Sequence, residues 1–436
     1  MPASAPKSLR IRTYQVGFGD CFLLSFNYDG DKKKHVLIDF GTKALPKGAP
    51  KDMMLRIAKD IKEAVGNDLV AVVATHRHQD HISGFQRSNG KGSGDIIRGL
   101  KPKVVVQPWT EQPDLAETAT GPKLKRFGKG AKEHIAALAN MHDIAAQVVE
   151  AAQGGRLPKG MRARLSFIGE DNVKNLDAVK NLMDMGERKP VYVYSGSRSG
   201  LASLLPGVKV HVLGPPTVDQ GDKIKSIKSY AKTSDDYWGF QARAMRAAGT
   251  RATRKRAKRN DGVLFPRHVA SRGPNFPVET RWLIYHARAA QSEQLLSIVT
   301  MLDKVMNNTS VILVFEVGNK RLLFPGDAQL ENWLFALEGT RDKYKALLQG
   351  VDLYKVGHHG SWNATPKRLW NLFKKKSASS GPARLKTLMS TLEGVFHEEH
   401  EVPREKLVTE LKHQSDLFST QQIPKGKISS DTLVPL

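Results

Sequence analysis

The sequence predicts an α/β protein, a two-layer sheet flanked by helices, from three observations. Apolar segments of strand length dominate the first hundred residues and return beyond residue 307. Amphipathic segments with three-and-four spacing are interleaved with them. Several of the predicted strands end in His or Asp, so that reactive side chains gather at strand termini.

In chain order, residues 9–16, 21–28 and 35–40 are strand candidates, separated by the Gly17-Phe18-Gly19-Asp20 loop and the Asp29-Gly30-Asp31 turn. Met54, Ile57, Ile61 and Val65 draw one apolar stripe along residues 51–66, an amphipathic helix with Gly66 as its stop. Strands over 69–75 and 103–107 follow. Residues 111–189 turn helical and basic and are expected to form an insertion. Strand-like sequence resumes at 190–194 and 208–213, the latter closed by Gly214-Pro215-Pro216. A second basic insertion is expected over 217–306, with an amphipathic helix at 291–306. Strands over 310–317, 321–324, 353–356 and 385–390, and helices near 329–337, 365–375 and 403–412, complete the pattern. The core is therefore expected to comprise 8–110, 190–216 and 307–425, with 426–436 as a C-terminal tail.

The 436 residues carry 68 Lys and Arg against 43 Asp and Glu, a net charge of +25. Such an excess attracts polyanions, above all nucleic acid, because neutralising phosphates releases counterions. Cys21 is the single cysteine, which excludes a disulfide framework and leaves His and carboxylates to build any metal site. The N-terminal residues lack an apolar core of signal-peptide length, and runs such as 311–315 are far too short to span a bilayer. A cytoplasmic protein with no membrane partner is expected.

His76-Arg77-His78-Gln79-Asp80-His81 supplies four potential metal ligands in six residues, directly after a short apolar strand. A strand end followed by a turn lets such side chains converge, and imidazole with carboxylate suits zinc, manganese or iron. Two later apolar strands end the same way, in Pro325-Gly326-Asp327 and in Gly357-His358-His359-Gly360-Ser361. A polar loop that happens to be rich in histidine would not explain all three.

The HxHxDH motif at 76–81, Leu37-Ile38-Asp39-Phe40-Gly41, the PGD motif at 325–327 and the histidine pair at 358–359 resemble the metallo-β-lactamase superfamily. Within it, the segments at 16–24, 211–216, 307–315, 355–361 and 388–391 and His400-Glu401-Val402-Pro403 resemble the metallohydrolase domain of the bacterial DNA-uptake channel protein and its soluble relatives. About two thirds of the chain is covered; the two insertions are not. The resemblance implies an αββα sandwich with two divalent ions, zinc or manganese, at the sheet edge. It implies that His76 and His78 bind the first ion, Asp80 and His81 the second, that Asp327 bridges, and that His358, or alternatively His359, completes the second site. Asp20 and Asp39 would orient the ligands. One departure is that Asn307-Asn308 stands where many members carry another His. The first ion then has one protein ligand fewer, unless His134, His268 or His286 substitutes.

Two ions sharing a hydroxide suit in-line attack on a phosphodiester, with Asp80 holding the proton and His359, Ser361 or Asn308 contacting the phosphate. The run at 251–259 (Arg251, Arg254, Lys255, Arg256, Lys258, Arg259), the basic stretch at 123–132 and Lys374-Lys375-Lys376 near Trp370 and Phe373 would track a nucleic-acid backbone. The expected function is a metal-dependent phosphodiesterase or nuclease acting on nucleic acid or nucleotides, in bacterial defence or DNA processing. Two alternatives remain: hydrolysis of a lactam, lactone or thioester, and a regulatory module with structural metals that binds a protein through the insertions.

Overall fold

The computed structural model describes residues 5–113, 115, 121–122, 175–217, 220, 306–337, 342–395 and 402–436. Among these residues thirteen strands form two sheets. The first contains β1 (Ser8–Tyr14), β2 (Cys21–Asn27), β3 (Lys33–Phe40), β4 (Leu69–Val73), β5 (Val104–Pro108), β6 (Val191–Val193) and β13 (Ser429–Pro435), in the order β13-β1-β2-β3-β4-β5-β6. The second contains β7 (Val208–Gly214), β8 (Ile312–Val317), β9 (Lys320–Phe324), β10 (Leu353–Lys355), β11 (Lys386–Met389) and β12 (Asp416–Ser419), in the order β12-β11-β10-β9-β8-β7. Each sheet is part antiparallel and part parallel: β3 to β6 run parallel in one, and β9 to β12 in the other.

Side-chain alternation builds the layers. Phe22, Leu24 and Phe26 of β2 face a core shared with Leu313, Phe315 and Val317 of β8, so this core lies between the sheets. Ring pairs cross it, with Phe22 and Phe324 centroids 5.9 Å apart and Phe26 and Phe315 6.2 Å apart. The alternate residues face outward: Cys21 and Leu23 pack against helices α1 (Met53–Val65), α3 (Ser93–Gly99) and α4 (Leu176–Asp184). Ile312 and Val314 pack against α5 (Leu330–Leu337), α6 (Asp342–Gln349), α7 (Lys367–Trp370) and α8 (Glu405–Gln414). Helices thus cover both outer faces. The short α2 (Gln79–Ile82) caps the end of β4.

The expected elements differ from these in several places, and α3, α6 and β12 have no counterpart among them. Residues 429–435 are no tail: they pair antiparallel with β1 from Ser8↔Pro435 to Tyr14↔Ser429, and Arg12 donates to the Asp431 carboxylate at 2.8 Å. Their polar, half-exposed pattern is that of an edge strand, which hides the usual alternation. The end of the first expected insertion belongs to the core, because Ala178, Val179 and Leu182 of α4 are buried against the first sheet. The helix near 365–375 shortens to Lys367–Trp370, after which Lys374 N–H donates to the Gln349 carbonyl at 3.1 Å.

Candidate metal centre

The parallel strands aim their carboxyl ends at one edge of the sandwich, where open α/β sheets bind ligands. Asp39 lies at the end of β3, Thr75 to His81 follow β4, Asp327 follows β9, and His358 and His359 follow β10. Asp80, His81, Asp327 and His359 are all buried, and one ligand atom from each lies within 4.8 Å of the others. His81 Nε2 is 3.1 Å from Asp327 Oδ2, and His359 Nε2 is 2.8 Å from Asp80 Oδ2. Two imidazole nitrogens and two carboxylates make a donor set suited to zinc or manganese.

Groups behind the rings fix how they point. His81 Nδ1 is 2.8 Å from Asp39 Oδ2, and His359 Nδ1 is 2.9 Å from the Ser390 carbonyl, so each ring turns Nε2 toward the centre. Asp39 also accepts from Thr75 N–H and Oγ1, both at 2.7 Å. Three contacts hold its carboxylate and offset the cost of a left-handed backbone, φ 54°. The α2 turn presses on the β3 end: Asp20 N–H donates to the Asp80 carbonyl at 2.9 Å, and Gly41 N–H to the Asp20 carbonyl at 3.0 Å. A Cβ on Gly41 would overlap the backbone of Asp80 and His81, so only glycine permits this approach.

His358, expected to complete the second site, is not part of the four-residue cluster; its neighbour His359 is. Two successive left-handed residues, φ 45° and 52°, turn His359 inward and direct His358 N–H to Asp327 Oδ1 at 2.9 Å. His76 and His78 form a separate pair beside the cluster, Nε2 to Nδ1 at 3.0 Å, with the His76 and His81 ring centroids 4.1 Å apart. Asn308, expected at the phosphate, gives its amide to Glu331 Oε2 at 3.0 Å. Ser361 is half-buried in the turn, its N–H donating to the His358 carbonyl at 2.9 Å. Arg251, Arg254, Lys255, Arg256, Lys258 and Arg259, the stretch at 123–132, and His134, His268 and His286 lie outside the described residues.

Asp20, Asp39 and His81 form a second group with metal-compatible spacing. It already holds a cation, because the Lys355 ammonium is buried against Asp20 and donates to the Gly326 carbonyl at 3.3 Å. Lys355 escaped the motif reading; its signal is a lone charge at the end of an apolar strand. The charges are mutually adjusted. Burial opposes ionisation of Asp80 and Asp327, yet His81 and, respectively, His359 and Lys355 hold both carboxyls below their ordinary range. Burial likewise opposes the cationic form of His81, but Asp327, Asp80 and Asp39 raise it. Lys355 is also raised against burial by Asp20 and Asp327.

Comparison with protein-family models and with curated proteins returned no match. No helix among the described residues is long and apolar enough to cross a membrane.

Proposed function

We propose that this chain is a metal-dependent hydrolase of the metallo-β-lactamase type, acting on phosphodiesters of nucleic acid or nucleotides. The observation that carries the reading is the convergence of Asp80, His81, Asp327 and His359 at the carboxyl ends of strands from both sheets. The helix-sheet-sheet-helix layering supports it, since an αββα sandwich is what the motif resemblance implies. These four residues would hold one divalent ion, and His76 and His78 would offer imidazoles to another. Zinc or manganese there would lower the pKa of water toward neutrality and screen phosphate charge.

The chain's own residues supply the rest. Asp80 Oδ2 meets His359, while its buried Oδ1 has no hydrogen-bond partner among the described residues and would accept a hydrogen bond from a bound water, orienting it. Asp39 and the Ser390 carbonyl keep both imidazoles aimed inward through the reaction. The +25 net charge draws a polyanionic substrate toward the molecule. The test is a screen of protein supplied with zinc or manganese against bis-p-nitrophenyl phosphate, single- and double-stranded DNA and cyclic nucleotides. Hydrolysis is expected and should vanish with chelator or in a His76→Ala/Asp80→Ala variant. Equal behaviour of variant and parent in every assay overturns the proposal.

A further inference from the structure

We infer that Lys355 is a positioning residue for this centre, holding Asp327 so that one carboxylate oxygen faces a bound cation and anchoring Asp20 behind both ligand histidines. The inference rests on the metal-centre reading above.

Lys355 ends β10 with 2% of its side chain exposed. Its strand neighbour Tyr354 packs with the outer helices, whereas Leu353 joins the core between the sheets. Alternation therefore sends Lys355 to the inner face, where it reaches across the sandwich to Asp20 at the start of β2. Burying an ammonium is costly unless each of its donors is used. Here they meet Asp20, the Gly326 carbonyl at 3.3 Å and Asp327 Oδ1 at 3.6 Å.

The two oxygens of Asp327 consequently have separate duties. Oδ1 accepts from His358 N–H at 2.9 Å and faces Lys355, while Oδ2 faces His81 Nε2 at 3.1 Å and His359 Nε2 at 3.9 Å. A carboxylate pinned through Oδ1 cannot swing, so Oδ2 stays at the position the other ligands define. Asp20 is placed comparably: Oδ2 lies 3.7 Å from His81 Nδ1, and Oδ1 lies 3.9 Å from His359 Nδ1. One ammonium thus meets a carboxylate on each side of both imidazoles, sharing its hold on Asp327 with His358 N–H.

Charge and position predict opposite signs, which makes the idea testable. Removing a nearby cation tightens binding of another cation if only Coulomb repulsion matters; loss of positioning weakens it, typically by 10- to 100-fold for groups that orient ligands. The experiment measures Zn²⁺ affinity of the full chain by competition with a chromophoric chelator. It compares wild type, Lys355→Met and Asp20→Asn/Lys355→Met, the double variant removing one charge of each sign. Melting of the zinc-free proteins and the Co²⁺ absorption spectrum are recorded alongside. Both variants are expected to bind Zn²⁺ about 10- to 100-fold more weakly and to show altered Co²⁺ bands, with the double variant still melting cooperatively. Unchanged or tighter binding in the double variant overturns the inference while leaving the functional proposal intact. Failure of both variants to fold also overturns it, by making Lys355 a purely structural counter-ion. Absence of Zn²⁺ binding by the wild type would sink both.

Discussion

Gly41→Ala tests how tightly the fold holds the candidate metal ligands, with a magnitude that follows from the backbone. A Cβ at this position would stand 2.5 Å from the His81 carbonyl carbon, where ordinary contact begins near 3.4 Å. The Asp80-His81 backbone must therefore retreat by roughly 1 Å, breaking the hydrogen bonds that join Asp20, Gly41 and Asp80. Overpacking of this kind destabilises by about 1–3 kcal/mol. The larger effect is on chemistry, because a ligand displaced by ~1 Å lowers rate by about 100-fold. Gly99→Ala is the control, since nothing lies within 4 Å of the added methyl group. The assay pairs thermal melting with Zn²⁺ affinity and kcat/KM on a phosphodiester. A Gly41→Ala protein with the affinity and rate of the Gly99→Ala control would refute the argument that this glycine sets the ligand position.

Further predictions concern side chains. Asp39→Asn removes the charge and one of the two acceptor oxygens shared by Thr75 and His81 Nδ1, and is expected to weaken Zn²⁺ binding about 10- to 100-fold at little cost to sheet structure; equal affinity in a chelator competition would contradict it. His35 is remote from the centre, and burial, with Arg10 and Lys33 nearby, lowers its pKa from 6.5 to about 4. The unfolded chain therefore binds this proton first, so the contribution of His35 to stability is constant above about pH 6.5 and falls as pH drops from 6.5 to 4. The separation corresponds to on the order of 3 kcal/mol. Urea midpoints measured across that window should be flatter in His35→Gln than in wild type, and parallel curves would exclude His35 as the source. Trp362, 44% exposed on the turn that carries His359, is expected to stack on a nucleobase. Trp362→Ala should raise KM for nucleotide substrates several-fold with little change in kcat, and an unaltered KM would rule the stacking out.

The two-sheet α/β class was legible in sequence because its strands are apolar and its loops carry Gly, Asp and Pro. The strand ending before His76, with 69–75 expected and Leu69–Val73 observed, is representative. Residues 416–419 and 429–435 were invisible as strands, since polar side chains on sheet edges leave no alternation to detect. At the centre, the candidate ligands were legible as residue types at strand ends, but their directions were not. Choosing between His358 and His359 depends on two left-handed backbone angles, which local sequence does not specify. Lys355 was hidden for another reason. Its partner Asp20 lies 335 positions away in the chain, just before β2 of the other sheet, and only the closed sandwich brings them together.

The crossing points of the chain near the edge that carries the candidate ligands bear on how the fold accommodates long connections. The two longest stretches with undescribed residues are bounded by Pro113 and Asn175 and by Thr217 and Met306. Two of the flanking segments are tied to the rest of the molecule: Trp109 Nε1 donates to the Pro216 carbonyl at 3.1 Å, and Asn175 Nδ2 to the carbonyl of Arg77, between His76 and His78, at 3.4 Å. Neither stretch interrupts a hydrogen-bonded strand pair between β5 and β6 or between β7 and β8. The strand pairs that carry the candidate ligands are likewise complete without these stretches. Replacing either stretch with a short linker is expected to leave the inter-strand hydrogen bonds of both sheets in place.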